Sequence, residues 1–349
     1  MLRGGDTIMT RLTGAIFAAG TFLALALMGG ASAQQAATEL RYTTGAPEKT
    51  PWVTPQLRRF ETDVAEESGG KLKIASFINA QLGNEQDTVQ QVARGRIDMG
   101  GFSNGAVALL APELALLGLP FFFKNIAEQD CAVDAMTKPV SDLLAKKGVK
   151  FLGWTEVGTG DIVGKKPFLV PADVKGLKAA SAANKVSATM WATLGANPTP
   201  IGITEIASAF QTGLTDVNST VVTFYLPSGL AKVAPVLSRV ELADAPGIIL
   251  INKGVYDKLP AVERAALDKA VARRSATQLR QEIRGFEATL RDMHVKAGGT
   301  IATPTPEQRE LWRKALQPAW PKMVQEVGGD APNFYKQMEA ARASCEKKS

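Results

Sequence analysis

The side chains best suited to act on a small molecule in this chain are aromatic rings, hydroxyls and amides. Trp52, Phe102, Trp154 and the pair Phe224-Tyr225 stand at expected strand ends or on the loops that follow them. Thr44, Thr50, Ser103, Asn104, Ser181, Asn184, Asn218 and Thr220 stand at neighbouring positions. Flat apolar walls with a few uncharged hydrogen-bonding groups suit binding and orientation. They do not suit covalent or acid–base chemistry. The single histidine, His294, falls in a long helical stretch, which argues against histidine triads and histidine-rich metal sites. No G-x-S-x-G elbow or phosphate loop occurs between a strand and a helix, and Gly158-Thr159-Gly160 is too short for a dinucleotide fingerprint. The expectation is a protein that is not an enzyme and uses neither cofactor nor metal.

Charged candidates are few. Glu156 and Asp161 flank Gly158-Thr159-Gly160 and could accept from an ammonium group, with aromatic rings adding cation–π attraction. Lys185, Lys165 and Lys178 are the cations available to an anionic ligand, and Lys185 is preferred because it follows Asn184. Glu85 and Asp87 are explained by their place at a helix start, and Glu205 reads as structural.

The first 33 residues read as an export signal. Arg3 and Arg11 give a basic start, Ala15 to Met28 is an apolar run of about 14 residues, and Ala31-Ser32-Ala33 is a small-residue cleavage site. The run is shorter than the roughly 20 residues of a membrane span, so a soluble periplasmic product is expected. Taking Arg3, Arg11 and Asp6 from 40 basic and 34 acidic residues leaves 38 and 33, a net charge of +5. These charges are spread along the chain, which argues against nucleic acid as a partner. Cys131 and Cys345, the two cysteines, are a candidate disulfide in an oxidising compartment; one buried and one exposed thiol is the alternative.

The remaining length exceeds one ordinary core and implies two domains. Strands are expected at Leu40 to Thr44, Leu72 to Phe77, the glycine-rich IDMGGF (Ile97 to Phe102) and Val149 to Trp154. Helices are expected between them, at Val53 to Glu67, around Val89 and Val92, and at Pro139 to Lys147. Such alternation implies an α/β fold with a parallel sheet, and ligands then sit beyond the carboxyl ends of the strands. That places Thr44 to Trp52, Gly100 to Asn104 and Trp154 to Gly160 at one mouth. The first domain is expected over 34–160 and the second over 161–246, with a return to the first at 247–260. Repeated crossing of this kind makes a hinge. From 261 to 297 the repeat Leu279, Ile283, Phe286, Leu290 and Met293 predicts one uninterrupted helix. At roughly 54 Å it would pack along both domains, a coiled-coil arm being the alternative. Segment 298–349 is expected to be helical and packed on the domains, with Trp312 and Trp320 as anchors.

Five stretches, in this order, resemble signatures of the solute receptors that serve TRAP (tripartite ATP-independent periplasmic) transporters. They are QLGNEQDTVQQVARGRIDMGGFSN (Gln81 to Asn104), APELALLGLPFFF (Ala111 to Phe123), the FLGW strand, PADVKGLK (Pro171 to Lys178) and LGANPTPIGITEIASAFQTGLTD (Leu194 to Asp216). The resemblance implies a two-domain periplasmic-binding-protein fold, with a ligand cleft between the domains and a long helix spanning both. It implies a monomeric receptor that closes on a small-molecule solute and delivers it to membrane permease subunits. Most members hold an organic acid with an arginine two positions after GLK, where this chain has Ala180. A second arginine, in a G-x-R pattern after the GW strand, corresponds to Gly160, and an asparagine of a D-G-Q-E-N pattern corresponds to Thr220. No alanine supplies the two charge-assisted hydrogen bonds of an arginine fork. The expected ligand is therefore neutral or aromatic, with an organic acid held by a lysine, or an amine, as alternatives. The cleft is expected to be lined by Trp52, Phe102, Ser103, Asn104, Trp154, Gly160, Ala180, Asn184, Thr220 and Phe224. A receptor fold repurposed as a sensor or interaction module is the alternative function.

Overall fold

One strand, Val149–Gly164, belongs to both of the sheets that organise this protein. The computed structural model describes residues 37–346; the expected export signal lies outside the described residues. The strands are β1 (Thr38–Thr43), β2 (Leu72–Phe77), β3 (Met99–Ser103), β4 (Val149–Gly164), β5 (Lys178–Ser181), β6 (Asn197–Pro200), β7 (Val217–Val221), β8 (Val236–Ser238), β9 (Asp244–Asn252) and β10 (Thr300–Ala302). The first sheet has the order β2-β1-β3-β9-β4 and the second β4-β7-β5-β6, with β8 on β4 and β10 on β8. β4 pairs with β9 from Val149 to Thr159 and with β7 from Gly160 to Gly164. Its glycines hid this length in the sequence. They accompany register shifts at Phe151/Gly153 and Glu156/Gly158, where bulges let a strand bend from one sheet into the next.

The first sheet is mixed, not parallel as expected. β1 runs parallel to β2 and β3, but β9 is antiparallel to β3 and to β4. β9 returns from the second lobe without a strand–helix–strand crossover, so the preference that makes such units parallel does not act on it. Its apolar run Ile248 to Ile251 suits a strand covered on both faces.

The expected single helix over 261–297 is two helices, Ala261–Ala272 and Ala276–Lys296. Ser275 caps the second by accepting from the Gln278 amide at 3.2 Å. The S-x-x-Q spacing was the available sign of this start, overshadowed by a regular apolar repeat. The 21-residue helix lies along β4 and onto the helix Val222–Tyr225, so it touches both lobes. Leu279, Ile283 and Leu290 are buried within the molecule, which leaves no seam for a coiled-coil arm.

The C-terminal segment is helical as expected, in three pieces: Pro306–Leu316 and Trp320–Val327, separated around Pro318, and then Ala331–Glu346. The indole nitrogens of Trp312 and Trp320 donate to Leu169 O at 2.9 Å and Pro120 O at 3.0 Å. Cys131 and Cys345 form the expected disulfide, joining the helix Ile126–Ala135 to the last helix.

Candidate functional site

A cavity of about 320 Å³ lies where the strand ends of the two sheets meet. The first sheet contributes the loop after β1 (Thr44 to Trp52) and the end of β3. The second contributes the ends of β5 and β7 and the helix that follows β7, and residues 242–245 close the floor. β4 crosses beneath. Thr159 donates its amide to Glu287 Oε1 at 2.8 Å, and Gly160 exchanges backbone hydrogen bonds with Leu242 and Ala243. Gly158, at φ +133°, has no room for a side chain: a Cβ there would lie 2.5 Å from Glu287 Oε1. The Gly158-Thr159-Gly160 stretch is therefore a crossing point, pinned by the spanning helix.

Of the expected lining residues, Trp52, Ser103, Asn104, Gly160, Asn184, Thr220 and Phe224 border the cavity. Phe102 does not. Side chains alternate along a strand, so Gly101 and Ser103 face the cavity and Phe102 is 1% exposed in the core. Trp154 is also internal, stacked edge-on against Phe151 at 4.9 Å, with its indole nitrogen donating to Thr137 at 2.7 Å. Ala180 joins the second lobe's core, and its neighbour Ser181 reaches the cavity. Tyr225 is likewise buried, its hydroxyl donating to Ala234 O.

The paired glycines of IDMGGF do more than allow close approach. Trp52 lies over the first sheet at Gly101 and Gly247: a Cβ at Gly101 would stand 2.9 Å from the indole and 2.2 Å from Tyr42 Oη, and one at Gly247 would stand 2.6 Å from the indole. Two bare backbones thus seat the cavity's aromatic wall. Gly101→Ala is expected to displace Trp52 and lower stability by about 1–3 kcal/mol through overpacking. An unchanged urea midpoint together with an unchanged tryptophan emission maximum would contradict this.

The cavity's charges are all negative. Glu85 and Asp244 border it, and no lysine, arginine or histidine does so among the described residues. Glu85 Oε1 accepts from Ser103 Oγ at 2.8 Å, and Oε2 accepts from the Ser103 amide at 3.2 Å. Burial raises the Glu85 pKa, opposed by those two bonds. Asp244 accepts from Thr159 Oγ1, and burial raises its pKa too, opposed by that bond and by Arg284. Neighbouring arginines are engaged elsewhere: Arg284 with Asp130 and Glu156, Arg280 with Asp130 and Asp134, Arg291 with Glu287.

The charged candidates named from sequence fall outside the cavity. Glu156 is ion-paired with Arg284, and Asp161 is buried beneath Glu241, whose amide donates to it at 3.1 Å. Lys165, Lys178 and Lys185 are exposed, and Lys178 Nζ donates to Gly213 O at 2.6 Å. Sequence reasoning explained Glu85 as a charge at a helix start and missed Asp244; for Asp244 the only signal was its place just before the apolar run Ile248 to Ile251. Two further lining groups, Ser181 Oγ and Asn218 Nδ2, are buried without a hydrogen-bond partner among the described residues. Buried polar groups are nearly always satisfied, so these two are available to a ligand.

The sequence profile of bacterial extracellular solute-binding protein family 7 (DctP) matches residues 42–326. A solute-binding protein of Verminephrobacter eiseniae is 30% identical over 212 residues, which are 59% of this chain and 62% of that relative, so the chain spans under two thirds of it. The C4-dicarboxylate-binding periplasmic protein DctP of Vibrio cholerae is 26% identical over 288 residues, 82% of this chain and 85% of that protein. Among solved structures, a TRAP periplasmic solute binding protein from Roseobacter denitrificans with bound β-D-glucuronate superposes with a TM-score of 0.80 at 26% identity, covering 87% of this chain and 99% of that one. The chain belongs to bacterial extracellular solute-binding protein family 7.

Proposed function

We propose that this family member is a periplasmic solute receptor of a TRAP-type transporter that captures a small organic molecule lacking a negative charge. It closes its two lobes over the solute and passes it, as a monomer, to membrane permease subunits. Among the described residues no helix is long and apolar enough to cross a membrane, which fits a partner that supplies the membrane passage. The observation that carries the ligand reading is the absence of any lysine, arginine or histidine among the described cavity-lining residues. Relatives in this family hold C4-dicarboxylates or β-D-glucuronate. A desolvated carboxylate needs a cation or several donors in return, and here it would meet Glu85 and Asp244 instead.

The test is a thermal-shift screen of the purified receptor against sugars, polyols, amines and organic acids. A bound solute at about 100 times its dissociation constant adds roughly 2.7 kcal/mol of stability. Uncharged or cationic compounds are expected to raise the melting midpoint while sugar acids and dicarboxylates leave it unmoved. Tight binding of glucuronate or a C4-dicarboxylate would overturn the reading.

A further inference from the structure

We infer that the solute of this cleft is an organic cation, an ammonium or quaternary ammonium with an oxygen-bearing far end, held between Glu85 and Asp244 against the indole of Trp52. The inference rests on the receptor reading above and narrows its ligand.

The wall of the first lobe carries the argument. The helix Glu85–Ala93 brings Glu85 to Ser103, which it holds through both the hydroxyl and the amide. Ser103 is the cross-strand partner of Gly247, and the space above Gly247 is filled by the Trp52 ring. Asp244 lies three residues earlier on the same strand as Gly247. Glu85, Trp52 and Asp244 all border the same cavity. A cation is attracted by all three, and the attraction grows as the closing lobes exclude water. Burial raises both carboxyl pKa values. A bound cation would relieve that cost, because an opposite charge nearby favours the ionised form.

The facing lobe supplies the other end. Ser181 ends β5, and Asn218 stands near the start of its parallel neighbour β7 as the partner of Ala180; each is 3% exposed. Their unpartnered hydroxyl and amide suit a hydroxyl or carbonyl oxygen of the ligand.

Titration calorimetry on the full receptor with choline, ethanolamine, the uncharged carbon isostere of choline and tert-butylacetate tests this. Choline or ethanolamine is expected to bind about tenfold or more tightly than the isostere, with affinity falling as salt is added. Asp244→Asn and Glu85→Gln are each expected to weaken the cation by about tenfold. Because Glu85 also anchors Ser103, Asp244→Asn and the salt dependence of the unmodified protein stand if Glu85→Gln fails to fold. An isostere that binds as well as choline, or no response to either cation at millimolar concentration, overturns the cation and leaves the receptor for a non-anionic solute standing. If tert-butylacetate binds best, both readings fall.

Discussion

Replacing Cys131 and Cys345 together with serine is expected to lower the unfolding free energy by about 2–5 kcal/mol while leaving ligand affinity within about twofold. The two residues are 214 positions apart, so the bond closes a loop that takes in most of the chain. In the chain-entropy account, forbidding that loop's open conformations in the unfolded ensemble is worth about 5 kcal/mol at most. The cavity is insulated from the loss because the last helix keeps other anchors. Phe122 packs against Trp320 and Tyr335 with ring centroids at 5.2 and 5.7 Å, and Arg342 Nη1 donates to Phe122 O at 2.9 Å. Urea unfolding of the variant beside the parent measures the effect. An unchanged midpoint would show that the docked helix, and not the covalent bond, restrains the tail.

Asp161→Asn is expected to act with the opposite sign at alkaline pH. Asp161 stands in β4 opposite Thr220 and is 1% exposed; one carboxylate oxygen accepts from the Glu241 amide and the other has no partner among the described residues. Burial is the main cause that pushes its pKa from 3.8 to about 7; the Glu241 amide and Arg239 oppose the rise, and the charges of Glu241 and Glu287 add to it. Between those two values the folded protein holds a proton that the unfolded chain has released. Stability from this group is therefore present below about pH 4 and is lost as pH rises towards 7. A shift of about 3 units corresponds to roughly 4 kcal/mol. Asparagine keeps an acceptor for the Glu241 amide and cannot ionise, so at pH 8 the variant should exceed the parent by a few kcal/mol, with the gap closing at low pH. Denaturation at acid and mildly alkaline pH gives the comparison. A variant less stable than the parent at pH 8 would mean that the ionised carboxylate has a role in the fold that its neighbours do not reveal.

Much of the site's address was legible in the sequence, and its occupants were legible only in part. Short-range signals located the strand ends. Leu72 to Phe77 was found with its observed bounds, and the loop after β1, the end of β3 and the β4 crossing converge on one cavity. Facing was lost where the strand register had to be known. Phe102 and Gly101 are adjacent, and one residue of phase decides which faces the cavity. Aromatic character pointed to Phe102, yet the cavity needed the glycine so that Trp52 could lie on the sheet. The same phase problem separates Ala180 from Ser181. Trp154 was misplaced because β4 runs ten residues past the expected end, which turns a strand terminus into a strand interior.

By itself the sequence determined the kind of molecule. Alternating elements and five ordered motifs specify a two-lobed member of the solute-binding family, because these properties live in periodicity and in residues close along the chain. Tertiary structure alone decided the electrostatics of the cleft. Glu85 and Asp244 are 159 positions apart by their numbers. They reach one cavity because β3 and β9 pair antiparallel, and the arginines that might have balanced them are drawn to Asp130, Asp134, Glu156 and Glu287 behind it. Charge balance in a cavity is set by which distant groups face the same enclosed space, and no local pattern along the chain encodes that.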